Sequence, residues 1–83
     1  MKLAYFARVR EAIGFNGEDR NLPADIQTVG ECLAWLAAQN ENYATAFADP
    51  SRLRFALDQQ MVGHETLLEG ASELAIFPPV TGG

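Results

Sequence analysis

Leu74-Ala75-Ile76-Phe77-Pro78-Pro79-Val80-Thr81-Gly82-Gly83 closes the chain, and the rest of the sequence is organised around it. Its first four residues form an apolar run with the composition of a buried strand. Pro78 and Pro79 lack a backbone N–H, so a sheet ladder stops there, and their fixed φ holds the exit extended. Gly82 and Gly83 have no Cβ and can thread a slot that excludes any side chain. The chemistry at the tip is the terminal carboxylate of Gly83, held away from the body by a stiff spacer. A Gly-Gly end alone is more often a frayed terminus. Here the spacer springs directly from an apolar strand, which favours function at the tip. The chain thus divides into a domain over 1–77 and an extended functional tail over 78–83.

Eighty-three residues make one small domain, with a core thin enough that partner surfaces matter to it. The apolar content of 48% is too high for disorder. Six basic against eleven acidic residues give a net charge of −5, which argues against nucleic-acid or anionic-membrane binding and suits a basic partner surface. The single Cys32 excludes an internal disulfide framework and fits a reducing compartment. No apolar run reaches membrane-spanning length, and Arg8 and Arg10 follow the first run too closely for a signal peptide. A cytoplasmic location is expected.

Lys2 to Val9 is predicted as a strand that is apolar on both faces, hence central in its sheet. Gly14, Asn16 and Gly17 mark Arg8 to Gly17 as a loop or wide hairpin connection. The polar run Glu18 to Leu22 is predicted to pair back on the first strand as an edge, with Pro23 ending it. Thr28-Val29-Gly30-Glu31 has the spacing of a capping box. Val29, Cys32, Leu33, Leu36 and Ala37 then share one face of a helix, with Trp35 at its margin. Tyr43 to Phe47 is a candidate for a short second helical turn, and Asp49-Pro50-Ser51 for a turn. Leu53, Phe55 and Leu57 alternate with Arg54, Ala56 and Asp58 as a half-buried strand. Asp58-Gln59-Gln60 turns it into a short edge strand at Met61-Val62. Gly63 to Ser72 is a connection with a turn at Glu69-Gly70, and Glu73 to Phe77 is the last strand.

The first and last strands are the most apolar and have no hairpin between them. Side by side and parallel at the centre, they leave the polar runs at the edges and the main helix across one face. The expected fold is therefore an α+β roll with a mixed sheet of about five strands, the β-grasp or ubiquitin-like plan.

Conventional active-site parts are missing. There is no Gly-rich phosphate loop, and one His with one Cys builds no zinc site. Cys32 and His64 as a thiolate pair is a weak alternative, because Cys32 lies on the apolar stripe and His64 in a polar connection. Glu69 and Glu73 flank a turn and are expected to face water. Arg8, Arg10 and Glu11 are expected on a solvated face. Phe6 and Phe77, with Met61 nearby, should form an exposed apolar cluster on the side of the sheet away from the helix, the usual sign of a docking site.

Four pieces, in order, match a known family across almost the full length. They are Leu3-Ala4-Tyr5-Phe6-Ala7 leading to Arg10-Glu11, Thr28-Val29 with Leu33 and Leu36, Ala56-Leu57-Asp58-Gln59, and the Phe77 to Gly83 end. With these the chain resembles the small, sulfur-carrying subunits of molybdopterin synthases, which are ubiquitin-like proteins. The Pro78-Pro79 element before Gly-Gly is the most specific of the four. Leu57-Asp58 stands where that family commonly has Val-Asn, and the Glu69 to Glu73 turn is one residue longer than its usual form.

The resemblance implies a sulfur carrier for molybdenum cofactor biosynthesis that is non-catalytic alone. A ubiquitin-activating-like adenylyltransferase, using ATP, would adenylate Gly83, and sulfur would then be installed as a thiocarboxylate. The loaded tail would enter the large subunit of the synthase and give sulfur to cyclic pyranopterin monophosphate, in an expected heterotetramer of two small and two large subunits. No cofactor is expected on this chain. Gly82 would supply tail flexibility, and Phe6, Met61, Phe77, Pro78, Pro79, Val80 and Thr81 would contact the partner. The alternatives are a sulfur carrier for thiazole or thiolated-tRNA synthesis, a protein modifier, or a β-grasp interaction domain with an inert tail.

Overall fold

The computed structural model describes residues 1–79. In chain order the elements are β1 (Lys2–Tyr5), α1 (Ala7–Ile13), β2 (Gly17–Asp19), α2 (Val29–Ala37) and α3 (Glu41–Ala46). A 3-10 turn (Pro50–Arg52) follows, then β3 (Arg54–Leu57), β4 (Gln60–Val62) and β5 (Glu73–Phe77). The strands form one mixed sheet in the order β2-β1-β5-β3-β4. The first and last strands lie side by side at its centre, parallel, with Leu3 opposite Leu74 and Tyr5 opposite Ile76. β2 joins β1 antiparallel, and β3 joins both β5 and β4 antiparallel. This is the β-grasp arrangement expected from the distribution of apolar runs.

Helix α2 forms where a capping box and an apolar stripe coincide. The Thr28 hydroxyl accepts from the Glu31 N–H at 3.1 Å, while the Glu31 carboxylate accepts from the N–H groups of Gln27 (2.8 Å) and Thr28 (3.0 Å). Those two backbone bonds hold the Glu31 carboxyl below its ordinary range. Val29, Cys32, Leu33 and Leu36 are buried, and they share the core with Leu3, Tyr5, Phe55, Leu74 and Ile76 from one face of the sheet. Trp35, at the stripe margin, is half-buried under the Arg20 guanidinium, which lies 4.8 Å from its ring centroid. Helix α3 covers the region predicted as a second turn. Asn40 caps it by accepting from the Tyr43 N–H at 3.0 Å, and Tyr43 stacks on Phe47.

Three boundaries differ from the sequence prediction. The stretch read as a loop from Arg8 to Gly17 contains helix α1, and the first strand stops at Tyr5 instead of Val9. Ala7 has φ 50°, a left-handed value that turns the chain out of the sheet immediately after Phe6. α1 has only Val9 and Ile13 buried and no side-chain cap at Phe6, so seven residues carry too few signals for a periodic pattern. Gly14 is its C-cap at φ 103°, donating its N–H to the Arg10 carbonyl at 2.8 Å. The glycine that suggested a hairpin therefore ends a helix. The edge strand spans Gly17–Asp19 in place of Glu18 to Leu22, and at Gly17 the chain runs so close to β1 that a Cβ would lie 2.8 Å from the Leu3 carbonyl oxygen.

Glu18, predicted as a solvent-facing edge charge, is instead tied inward. Its carboxylate accepts from the Tyr5 hydroxyl at 2.7 Å, from the Tyr43 hydroxyl, and from Arg20 at 3.4 Å. Burial, and then the adjacent Glu18 carboxylate, push both phenols above their ordinary range. The cluster clasps β1, β2 and α3 together. It leaves Arg20 as the one arginine of the described residues with an acidic side-chain partner.

Candidate functional site

β5 positions the site. Its Leu74 and Ile76 point into the core, so Glu73, Ala75 and Phe77 face the opposite side of the sheet, away from α2. On that outer side Ala4, Ala75, Ala56 and Met61 stand in register across four strands and make a low floor. At the end of the floor where β5 stops, Phe6 stacks on Phe77 with ring centroids 4.7 Å apart and planes 15° from parallel. The Phe6 N–H donates to the Ile76 carbonyl at 3.2 Å, which holds the first residue beyond β1 against the last strand. Phe6 remains 43% exposed and Met61 64% exposed.

Phe6, Ala7, Arg54, Met61, Phe77, Pro78 and Pro79 line one open groove at this end of the molecule. The structure thus brings together Phe6, Met61, Phe77, Pro78 and Pro79, as the sequence suggested. It adds Ala7 and Arg54, which the sequence reading did not select. Arg54 is the cross-strand neighbour of Phe77, and its guanidinium donates to the Leu53 carbonyl at 3.1 Å. Once β3 is paired antiparallel with β5, the alternation that buries Leu53 and Phe55 places Arg54 beside the tail. Val80, Thr81, Gly82 and Gly83, the remaining predicted site residues, lie outside the described residues.

The cysteine pairing falls away. Cys32 is fully buried beneath the sheet, and burial pushes its thiol up to about 11, leaving no thiolate near neutral pH. The His64 ring packs its edge against Phe55, with centroids 4.8 Å apart. Glu69 is exposed, and Glu73 is half-buried at the start of β5. Arg8, Arg10 and Glu11 are exposed as expected, on helix α1 instead of a loop. Among the described residues no group of three His, Cys, Asp or Glu side chains is placed to hold a metal ion, and no helix is long and apolar enough to cross a membrane.

The family model described as the ThiS family matches residues 3–83. The chain belongs to the ThiS family. Its full length aligns at 37% identity with the molybdopterin synthase sulfur carrier subunit of Escherichia coli (strain K12), covering 99% of that protein. The subunit of the same name from Haemophilus influenzae is 31% identical, with the same coverage. Among solved structures, the HVO 2177 protein of Haloferax volcanii superposes with a TM-score of 0.75 at 27% identity, over 99% of this chain and 84% of that one. SAMP1 from the same organism gives 0.76 at 23% identity, covering 100% of this chain and 98% of that one, and shares the fold. The likeness to the curated relatives extends through the Phe77 to Gly83 end, since the alignments span all 83 residues.

Proposed function

We propose that this chain is a sulfur carrier of molybdenum cofactor biosynthesis, acting through a thiocarboxylate at Gly83. A carboxylate is a poor electrophile, because its negative charge resists attack and oxide is a poor leaving group. Activation resolves this: the Gly83 carboxylate attacks the α-phosphorus of ATP on an adenylyltransferase, pyrophosphate leaves, and an acyl-adenylate forms. Sulfide-level sulfur from a donor then attacks the same carbonyl carbon and expels AMP, which leaves the thiocarboxylate. In the large subunit of the synthase the sulfur passes to cyclic pyranopterin monophosphate, and water restores the carboxylate. Two such cycles supply the two dithiolene sulfurs.

The chain's own residues bind and aim. Phe6, Phe77 and Met61 dock the body, and Pro78-Pro79 carry the tail away from the sheet in an extended conformation. Val80 and Thr81 contact the partner, while Gly82 and Gly83 leave room for the acyl carbon in a narrow channel. Acids, bases and the substrate phosphate site belong to the large subunit. The observation that carries this reading is a tail rooted in a central strand beside an exposed aromatic stack. It occurs in a chain that aligns end to end with named sulfur carriers.

Deletion of Gly83 tests it. The loss moves the carboxylate back by up to about 3.5 Å, when catalytic geometry tolerates about 1 Å. The truncated chain should fold and dock on the large subunit yet make no molybdopterin in a reconstituted synthase. Full activity from it would remove the carrier assignment. Mass spectrometry of protein from its native host should show the replacement of one terminal oxygen by sulfur.

A further inference from the structure

Charge is unevenly placed on this acidic chain. The six basic residues are Lys2, Arg8, Arg10, Arg20, Arg52 and Arg54. Four of them stand at the end of the sheet from which Pro78-Pro79 departs. Arg8 and Arg10 lie on α1, directly after β1, and Arg52 and Arg54 lie where the chain enters β3 opposite Phe77. Arg54 lines the groove with Phe6, Phe77, Pro78 and Pro79, and Arg10 lines the neighbouring hollow, which runs from Phe6 along β1 to Lys2, Asp19 and Glu73. The other end of the same strands is acidic. Asp19 and Glu73 are the register neighbours of Lys2, and the Asp58 carboxylate accepts from the N–H groups of Ser72 and Glu73.

All four arginines at the tail end are exposed, and none forms an ion pair among the described residues. Eleven acidic residues are available in the chain, and Arg20 has been given one of them. When an apolar surface covers the Phe6–Phe77 stack, Arg54 loses water within the groove, and Arg10 does so where that surface extends past Phe6. An uncompensated cation in that position opposes docking, whereas a carboxylate facing it favours docking.

We propose that the surface which receives the tail carries acidic side chains around an apolar mouth, and that Arg10 and Arg54 select it. The inference rests on the carrier reading, in which that surface belongs to the large subunit. It reverses the expectation from net charge, under which an acidic chain seeks a basic partner. The choice of arginine also suits the chemistry. A guanidinium stays protonated and pairs with a carboxylate through two parallel hydrogen bonds. A lysine amine beside an activated Gly83 carbonyl could attack it, expel the leaving group and block the tail as an amide. The only lysine, Lys2, stands at the opposite end of β1.

The test is association of the purified large subunit with full-length chains, measured kinetically at about 50 mM and about 500 mM salt, where the screening length falls from about 14 Å to about 4 Å. Arg54→Glu and Arg10→Glu should each lower affinity about tenfold at low salt, chiefly through slower association, with the gap narrowing at high salt. Lys2→Glu should leave affinity within about twofold, because Lys2 pairs with Glu73 at the end of β5 remote from Phe77. Arg54→Gln should fall between wild type and Arg54→Glu. Thermal melts of the same samples confirm folding, since both arginines are exposed. Arginine reversals that bind as tightly as wild type, while Phe6→Ala still weakens binding, would overturn the acidic partner and leave the docking face standing. A wild-type chain that does not bind the large subunit would remove both. A loss confined to the activating adenylyltransferase would overturn the assignment to the large subunit.

Discussion

Phe6→Ala tests whether the Phe6–Phe77 stack is a docking face or part of the core. Phe6 is 43% exposed in the free chain. An aromatic side chain of about 200 Å² then leaves about 85 Å² to be covered by a partner. At about 25 cal/mol per Å² the lost burial is about 2 kcal/mol, or about thirtyfold in Kd. The part already covered in the free chain, about 115 Å², sets an upper bound of about 3 kcal/mol on the cost to folding. The ring touches Phe77 at the surface instead of the core beneath α2, and the stacking contact itself accounts for about 0.5–1.5 kcal/mol of this. Calorimetric titration against the large subunit, beside a thermal melt, measures both quantities on one sample. Affinity should fall about thirtyfold in protein that still melts cooperatively. Unchanged affinity with a fall of 15 °C or more, roughly the signature of a core truncation, would show that the stack is structural and the face misassigned.

Leu33→Ala, at a position buried between α2 and the sheet, should cost about 2–5 kcal/mol in a urea melt while the residual folded protein docks normally. Gly14→Ala should cost about 1–2 kcal/mol from backbone strain alone, since φ is 103° and a Cβ there meets nothing within 4 Å. Gly14→Asn should recover part of that, and equal stability of all three would show that α1 does not end in this way. Glu31 has its carboxyl pKa lowered by the backbone N–H groups of Gln27 and Thr28, so its charge stabilises the fold above the ordinary value of 4.5. That contribution is lost as pH falls through the lower folded value. Glu31→Gln should therefore trail wild type at pH 7, with the gap closing as pH falls below 4.5 and through the lower folded value, and a gap that widens on acidification would contradict the capping bond.

What the sequence displayed was structure whose signals are local and repeated. Helix α2 announces itself twice, through Thr28 with Glu31 and through the Val29, Cys32, Leu33 and Leu36 stripe, and both are present. The β3–β4 turn was legible from Asp58-Gln59, and both residues adopt the positive φ of a tight hairpin turn. Helix α1 was hidden because its start is made by the left-handed Ala7 and its apolar face has two residues. At β2 the chain makes a contact no local pattern reports, the approach of Gly17 to the Leu3 carbonyl. Glu18 looked like an edge charge because its partners, Tyr5 and Tyr43, are 13 and 25 residues away. At the site, Phe6, Met61 and Phe77 followed from strand alternation. Arg54 required knowing which strand lies beside β5.

The placement of the tail on β5 has a mechanical consequence that a terminal edge strand would not supply. β5 is bonded on both sides, parallel to β1 and antiparallel to β3, and Leu74, Ala75 and Ile76 are buried. Its last paired residue, Phe77, is held by Arg54 across one neighbouring strand and by the Phe6 ring from the end of the other. Pairing with β1 ends at Ile76 and pairing with β3 at Phe77, and Pro78 beyond them has no N–H to extend the ladder. The direction in which the tail leaves is thus set by the centre of the sheet, and fraying of β2 or β4 at the edges leaves it unchanged. A partner that grips the Phe6–Phe77 stack therefore grips the root of the tail through one rigid strand. Six residues separate that root from the carbonyl of Gly83, and two of them are prolines. The two prolines narrow the backbone choices at the start of that span, whereas Gly82 and Gly83 widen them at its end.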